Sequence, residues 1–250
     1  MQVDAVSGQG VQPLLGYFGK VPTHGDFVRQ GLPKAFLDPW DNWLQRAISS
    51  SKEQLSDAWL HAYLTSPVWR FTLSAGVCGE AIAAGTLMPS VDAVGRYYPM
   101  TIASIFPDGV TPFHIANAAW LSAAQDATLS CLEKDFELEA FETRLGEIRD
   151  EILNLAEPDG LGVKPWSPPS QGLAQGLAWS MDEMALDQLA SEVYPALLHS
   201  TTEARLGAYS IWWTDGSDNI PPCLRLFEGL PSQEAFSELL TVRLPDSASL

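Results

Sequence analysis

Strand-like segments occur near both ends of this chain, and they constrain its fold more than any other feature. Residues 14–20 and 68–73 have this pattern in the N-terminal third, and residues 208–213 and 223–227 have it near the other end. Because backbone groups of a strand need partners, strands so far apart imply one sheet assembled from the whole sequence. The pattern predicts a single α/β domain, with a central mixed, largely antiparallel sheet flanked by helices in a layered sandwich.

Two further segments, residues 81–88 and 98–106, are almost continuously apolar and fit interior strands. Segments with helical periodicity lie before and after them. Asp38 followed by Pro39 predicts a helix N-terminus with Asp38 as its cap. One apolar helix face then follows, formed by Trp40, Trp43, Leu44, Ala47 and Ile48. Further helices are predicted over residues 55–65, 115–132, 138–155, 182–198 and 232–240.

Two segments are exceptions to this organisation. Residues 1–13 are small and polar and predict a flexible N-terminal tail, which leaves residues 14–250 for the domain. Residues 157–180 are rich in proline and glycine and predict a long loop. A division into two domains at this loop is the alternative organisation.

The chain of 250 residues carries a net charge of −17 at pH 7. Phosphate groups are bound by clusters of Lys and Arg, so this charge argues against nucleic acid or an anionic membrane as a partner. The charge is uneven: residues 1–110 hold nine acidic and seven basic residues, and residues 111–250 hold 22 acidic and seven basic residues. The N-terminal part therefore repels an acidic partner least.

The cysteines indicate neither a disulfide framework nor a structural zinc site, because Cys78, Cys131 and Cys223 lie far apart. No basic and apolar leader pattern opens the sequence, and no apolar run is long enough to span a bilayer. We therefore expect a soluble cytoplasmic protein without membrane insertion. We expect no cofactor and no metal, because the four histidines are scattered.

Residues 16–31 combine glycine, proline, aromatic and ionisable residues more densely than the rest of the chain. Glycine permits positive φ and proline fixes φ near about −65°, so this composition predicts a shaped loop over residues 21–31. Aromatic residues and arginine are enriched where interfaces hold their energy. We therefore predict a partner-binding surface on this loop and on a second glycine-containing loop, formed by Tyr17, Phe18, Lys20, His24, Asp26, Phe27, Arg29 and Arg96.

Catalytic motifs are absent from the sequence, so no catalytic residue is predicted and the chain is not expected to be an enzyme. His24 and Asp26 are the only local pair suited to acid–base chemistry, which leaves a small-ligand-binding or hydrolytic domain as the alternative. In the simpler interpretation, Asp26 hydrogen-bonds the loop backbone and His24 packs on it. Arg96 similarly fits either a partner contact or a turn residue.

Several motifs carry a resemblance to a known family. They include GYFGKVPTHGDFVR at residues 16–29, DPWDNW at 38–43, GTLMPSVD at 85–92, GRYYP at 95–99 and SIWWTDG at 210–216. In this order they resemble the TagF family of type VI secretion-associated proteins.

The resemblance implies a cytoplasmic, non-enzymatic protein that represses type VI secretion after translation. It implies that the protein holds back assembly by binding the forkhead-associated scaffold protein of the secretion system. No catalytic residue set accompanies the resemblance.

Overall fold

The computed structural model describes residues 13–106, 110–116, 118–156, 171–173, 176–178 and 193–241. Its strands, in chain order, are β1 (Leu14–Gly19), β2 (Val28–Gln30), β3 (Trp69–Leu73), β4 (Ile82–Met88), β5 (Met100–Phe106), β6 (Gln171–Leu173), β7 (Gly176–Ala178), β8 (Tyr209–Thr214) and β9 (Cys223–Glu228). Its α-helices are α1 (Lys34–Leu55), α2 (Trp59–Thr65), α3 (Pro112–Ile115), α4 (Trp120–Ser130), α5 (Leu138–Ala156), α6 (Tyr194–Leu206) and α7 (Gln233–Leu240). A short 3-10 turn, Ser56–Ala58, joins α1 to α2.

Seven strands form one sheet in the order β2-β1-β5-β4-β3-β8-β9, and β6 and β7 form a separate hairpin. Every pairing in the seven-stranded sheet is antiparallel. In the middle of the sheet, Phe71 of β3 lies between Gly85 of β4 and Trp212 of β8. The predicted α/β fold, with strands from both ends of the chain in one sheet, is therefore confirmed.

The sheet separates two hydrophobic cores. On one face, α1, α2 and α7 cover a core rich in tryptophan, in which Trp40 is fully buried and contacts the rings of Phe36, Trp43, Phe71 and Trp212. On the opposite face, α4 and α5 cover an aliphatic and aromatic core. Helices on both faces explain why the interior strands β4 and β5 are almost continuously apolar.

Helix α1 begins at Lys34, one turn before the predicted start at Asp38, and this prediction was wrong. Pro39 lies inside the helix rather than at its first position. The extra turn buries Phe36, whose ring stacks on Trp40 at a centroid distance of 5.4 Å. Burial of this aromatic side chain outweighs the proline, whose fixed φ is compatible with a helix.

Other element boundaries also differ from the prediction. Residues 28–30 of the predicted loop over residues 21–31 form the edge strand β2. Of the helix predicted over residues 115–132, α4 forms Trp120–Ser130, and the capped turn α3 ends at its first residue. Helix α6, Tyr194–Leu206, covers the end of the helix predicted over residues 182–198 and continues beyond it, and residues 182–192 lie outside the described residues. The predicted tail over residues 1–13 lies outside the described residues except for Pro13, and most of the predicted loop over residues 157–180 does as well.

Candidate functional site

Asp92 organises the loops at the end of β1. Its buried carboxylate accepts hydrogen bonds from Lys20 Nζ and Arg96 Nε, each at 2.6 Å. It also accepts the backbone N–H groups of Val94 and Arg96. Arg96 reaches further and donates to the carbonyl oxygen of Gly25 in the first loop. We call Asp92, Lys20 and Arg96 the Asp92 cluster, and it joins two loops that are about 70 residues apart in the sequence.

Burial of the Asp92 carboxylate would by itself raise its pKa, because a charged group loses solvation in the interior. The hydrogen bonds from Lys20 and Arg96 outweigh this effect and hold the pKa of Asp92 well below its usual range. Asp92 is therefore ionised at neutral pH, and its negative charge is compensated by two cations.

We expect Asp92→Asn to lower the thermal midpoint at pH 7 and to reduce the acid sensitivity of the fold. Because the folded pKa is depressed, the contribution of Asp92 is fully present above its unfolded value of about 3.9 and is lost as the pH falls through the folded pKa. The stability difference between wild type and variant should thus be constant from about pH 5 to 8 and shrink below about pH 4. Urea unfolding over this range measures it. An Asp126→Asn variant, which changes an exposed carboxylate on α4, is the control, and a difference that does not shrink in acid would contradict the assignment.

Phe27 is the most exposed ring of the first loop, with 40% of its surface accessible. It stacks on Phe18, with a centroid distance of 5.3 Å and an interplanar angle of 4°, and it meets Tyr98 edge to face at 4.8 Å. Lys20 Nζ lies 5.0 Å from the centre of the Phe27 ring. We call Phe18, Phe27 and Tyr98 the Phe27 stack. It holds an exposed aromatic ring in a fixed orientation.

Beside the Phe27 stack lies an open cleft of about 570 Å³ between the β1–β2 hairpin and the first turns of α1. We call it the Arg29 cleft, and it is lined by Phe18, Arg29, Gln30, Gly31, Leu32, Lys34, Leu37, Asp38 and Asp41. Arg29 pairs with Phe18 across the two strands, so both side chains lie on the same face of the sheet. The Asp41 carboxylate accepts a hydrogen bond of 2.6 Å from the Tyr98 hydroxyl, and this bond links the Arg29 cleft to the Phe27 stack.

Arg29 lies between two acidic residues in the sequence, Asp26 and Asp38. Among the described residues it forms no ion pair within 4.0 Å, and its side chain is exposed. The Oδ2 atom of Asp38 instead lies 3.9 Å from the Nζ atom of Lys34. Arg29 is therefore a cation available to a partner.

The structure divides the predicted surface residues into two groups. Tyr17, Phe18 and Lys20 are buried, because helices cover both faces of β1. The Tyr17 hydroxyl donates to Glu142 of α5 at 2.6 Å, and burial together with this contact raises its pKa. These three side chains support the loop from beneath, and a direct contact with a partner would have to come from the remaining predicted residues.

The other five predicted residues lie at or near the surface around the same loops; they are His24, Asp26, Phe27, Arg29 and Arg96. His24 hydrogen-bonds Thr23 Oγ1 at 2.9 Å and lies against the ring of Phe136, while Asp26 accepts the backbone N–H of Phe27. Among the described residues, no hydrogen bond joins the His24 ring to the Asp26 carboxylate. The geometry thus matches the simpler interpretation of this pair, in which both residues shape the loop.

Sequence reasoning missed three members of this region. Asp92 and Tyr98 hold the loops from beneath, and Val94, 69% exposed, is at the tip of the second loop. A local signal for Asp92 was present: an Asp three residues before Gly95 fits a turn in which the side chain accepts backbone N–H groups. The contact with Lys20 is long-range and could not be seen in the sequence.

The described residues contain no group of three or more His, Cys, Asp or Glu side chains arranged to hold a metal ion. None of the helices described is both long enough and apolar enough to cross a membrane.

This chain is similar to a known protein family and to a solved structure. The family model described as the TagF N-terminal domain, type VI secretion system-associated, matches residues 16–148. The crystal structure of PA0076 from Pseudomonas aeruginosa PAO1 is similar, with a TM-score of 0.73 and 34% sequence identity. The alignment covers 91% of this chain and 94% of that chain. No curated protein matches the sequence.

Proposed function

Because this chain belongs to the TagF family of type VI secretion-associated proteins, we propose that it is a non-enzymatic, post-translational repressor of type VI secretion. It acts in the cytoplasm by binding the forkhead-associated scaffold protein of the secretion system and holding back assembly. The surface that binds this partner consists of the exposed parts of the Phe27 stack, the Arg29 cleft and the adjoining loops.

This surface is supported by the combination of an exposed, rigidly held aromatic ring with an arginine that is unpaired in the described part of the chain. Phe27 is fixed by Phe18 and Tyr98, so little side-chain entropy is lost when a partner covers it. Arg29 has no ion-pair partner among the residues described and lies next to the ring system. Aromatic residues and arginine at the centre of a patch are typical of interface hot spots.

The positive charge of Arg29 indicates which kind of group on the partner it would contact. Because Arg29 has no ion-pair partner among the described residues, its guanidinium group can attract an acidic side chain. We therefore expect the scaffold protein to present a carboxylate next to an apolar group, and binding to weaken as salt rises.

The two arginines of the surface have different roles. Arg96 is held by Asp92 and by the Gly25 carbonyl, so it ties the two loops together. Its replacement by Glu would place a second carboxylate beside Asp92 and disturb the loops themselves. Within the described ranges Arg29 makes no such contact, and its replacement tests binding without that complication.

We expect Arg29→Glu to weaken binding of the purified scaffold protein by about 2 kcal/mol, roughly 30-fold, because the change puts like charges opposite each other in the interface. Phe27→Ala should weaken it to a similar extent by removing the aromatic contact. Isothermal titration calorimetry measures the affinity, and a melting curve of each variant shows whether the fold is retained.

Arg46→Glu is the matched control, since Arg46 is also an exposed arginine but lies about 18 Å further along α1 from Lys34. It should bind the scaffold normally. If the wild-type protein does not bind the scaffold, the proposed function is wrong. If the wild type binds and a well-folded Arg29→Glu variant binds equally tightly, only the proposed surface is wrong. In cells, the variant that loses binding should also lose repression of secretion.

A further inference from the structure

Lys20 is a buried lysine that contacts a buried carboxylate and an exposed ring at the same time. Only 6% of its side chain is accessible, and its Nζ atom lies 2.6 Å from Asp92 Oδ2. The same nitrogen lies over the ring of Phe27, 5.0 Å from the ring centre. Lysine is almost never fully buried unless it is paired, and here the ammonium group connects the Asp92 cluster to the Phe27 stack.

Neutralisation of Asp92 does not require Lys20. Arg96 Nε also lies 2.6 Å from Asp92 Oδ2, and the backbone N–H groups of Val94 and Arg96 donate to Oδ1. Among the described residues, neither cation has another carboxylate within 4.0 Å. The Asp92 cluster holds one carboxylate and two cations, so it has one positive charge in excess. The face of an aromatic ring attracts a cation at this distance, and Phe27 supplies that face.

The backbone of the first loop is held by contacts that do not involve the Phe27 ring. The Ala93 N–H group donates to the carbonyl oxygen of His24 at 2.9 Å, and Arg96 donates to the carbonyl oxygen of Gly25. These bonds fix the path of the loop, but they leave the side-chain torsions of Phe27 free. The ring itself is oriented by its contacts with other side chains.

Three side chains set the orientation of the Phe27 ring. Phe18 and Tyr98 contribute aromatic contacts, at centroid distances of 5.3 and 4.8 Å. Lys20 contributes the third contact, and it is the only one of the three made by a charge. A cation–π contact is stronger where the cation is removed from water, as this buried ammonium group is.

We propose that Lys20 is a positioning residue of the partner-binding surface, which holds the exposed Phe27 ring in place from the buried Asp92 carboxylate. Lys20 is itself buried, so its effect on a partner passes through Phe27. The effect on affinity rests on the proposed function: a partner that covers a fixed ring orders little, and a partner that covers a mobile ring must order it first.

Lys20→Met separates this role from simple neutralisation of Asp92. Methionine keeps an unbranched apolar stem and removes the charge, while Arg96 still neutralises the carboxylate. If Lys20 only neutralised Asp92, its removal would lower stability and leave the Phe27 ring in place. Lys52→Met is the matched control, because Lys52 Nζ also lies over an aromatic ring, 4.5 Å from the centre of Trp59, at the far end of α1.

Fluorine NMR of the full chain, labelled with para-fluorophenylalanine, measures the position of the ring without any partner. The Phe27 resonance is the one that disappears in Phe27→Ala. In Lys20→Met it should sharpen and move toward the shift of the free amino acid, because the ring becomes mobile. Lys20→Arg should retain the wild-type resonance, because a guanidinium group can pair with Asp92 and stack on the ring. Lys52→Met should also match the wild type.

An unchanged Phe27 resonance in a folded Lys20→Met variant overturns the proposal, and so does an equal change in Lys52→Met. Melting curves show which variants are folded. If Lys20→Met does not fold, Lys20→Gln replaces it, since its amide is uncharged but can still donate a hydrogen bond. The same change in the Phe27 resonance is expected there, and its absence is equally decisive.

Calorimetry with the purified scaffold protein tests the consequence for binding. Lys20→Met should bind about 2- to 10-fold more weakly, the factor by which ordering one mobile side chain lowers affinity, and with a less favourable entropy. In a Phe27→Ala background, Lys20→Met should cause no further loss, because no ring remains to be positioned. An equal loss in that background means that Lys20 does not act through Phe27, and it overturns the proposal. If the wild type does not bind the scaffold, the proposed function fails, and the fluorine spectra still decide whether Lys20 positions the ring.

Discussion

Trp40→Ala should lower the free energy of unfolding by about 4 kcal/mol, the largest loss expected from any single truncation in this core. Trp40 is fully buried, and its ring lies parallel to that of Trp212 at a centroid distance of 6.1 Å. Its indole N–H group also donates to Thr101 Oγ1 at 3.1 Å. Truncation leaves a cavity between α1 and the sheet and an unsatisfied hydroxyl beneath it.

Urea unfolding measured by tryptophan fluorescence and by circular dichroism gives the stability difference. Leu64→Ala is the control, since it removes an aliphatic side chain that is 55% exposed, and it should change stability by less than about 0.5 kcal/mol. A loss below about 1.5 kcal/mol for Trp40→Ala would mean that the core collapses into the space, and the tight packing inferred for this face would be wrong.

Gly85→Ala should destabilise the protein by about 3 kcal/mol or more, although it adds only one methyl group. Gly85 lies in β4 between Phe71 and Ala103. A Cβ atom there would be 2.0 Å from the carbonyl oxygen of Ile102 and 2.8 Å from the Cα atom of Ala103. Both are backbone atoms of β5, so no side-chain rotation relieves the clash and the central strands must separate.

Gly146→Ala provides the matched control for this substitution. Gly146 lies inside α5, and a Cβ atom added there meets no atom within 4 Å. Because alanine is the better helix former, this variant should gain about 0.5 to 1 kcal/mol. Thermal unfolding of both variants in one buffer checks the pair of predictions. If the two variants were equally stable, β4 and β5 would not approach as closely as the structure shows.

The sequence predicts the helical and strand patterns well where apolar periodicity is strong. Trp40, Trp43 and Leu44 share a helix face and are all buried, and Trp69, Phe71 and Leu73 alternate along β3 and lie in the same core. In such segments local periodicity and tertiary packing favour the same structure.

The start of α1 and the burial of β1 were not predictable, because both depend on residues far away in the sequence. Phe36 extends the helix only because Trp40 and the sheet are there to cover it. Tyr17 and Phe18 point to opposite faces of β1, and both are buried because α5 covers one face and α1 the other. The periodicity of a strand shows that its faces differ, and it does not show how many of them are covered.

The candidate site was located from the sequence by composition alone. The density of glycine, aromatic and ionisable residues in residues 16–31, and the arginine of a second loop, identified the segments that the structure brings together at Gly25 and Arg96. The division of roles within the site was not visible. Lys20 is a buried partner of Asp92, while Arg29 is exposed and unpaired among the described residues, and only the fold separates these two cations.

The strand order places β8 against β3, so the tryptophan-rich core contains residues that the ribosome adds to the chain at widely separated times. Trp212 completes the stack on Trp40, and a ribosome adding about 5 to 20 residues per second makes these two residues roughly 10 to 30 s apart. During this interval α1 has been synthesised, but β8 and its Trp212 side chain are not yet present to cover Trp40. The nascent chain therefore exposes tryptophan side chains until its last strands are made, and an exposed apolar surface of this kind favours aggregation and chaperone binding.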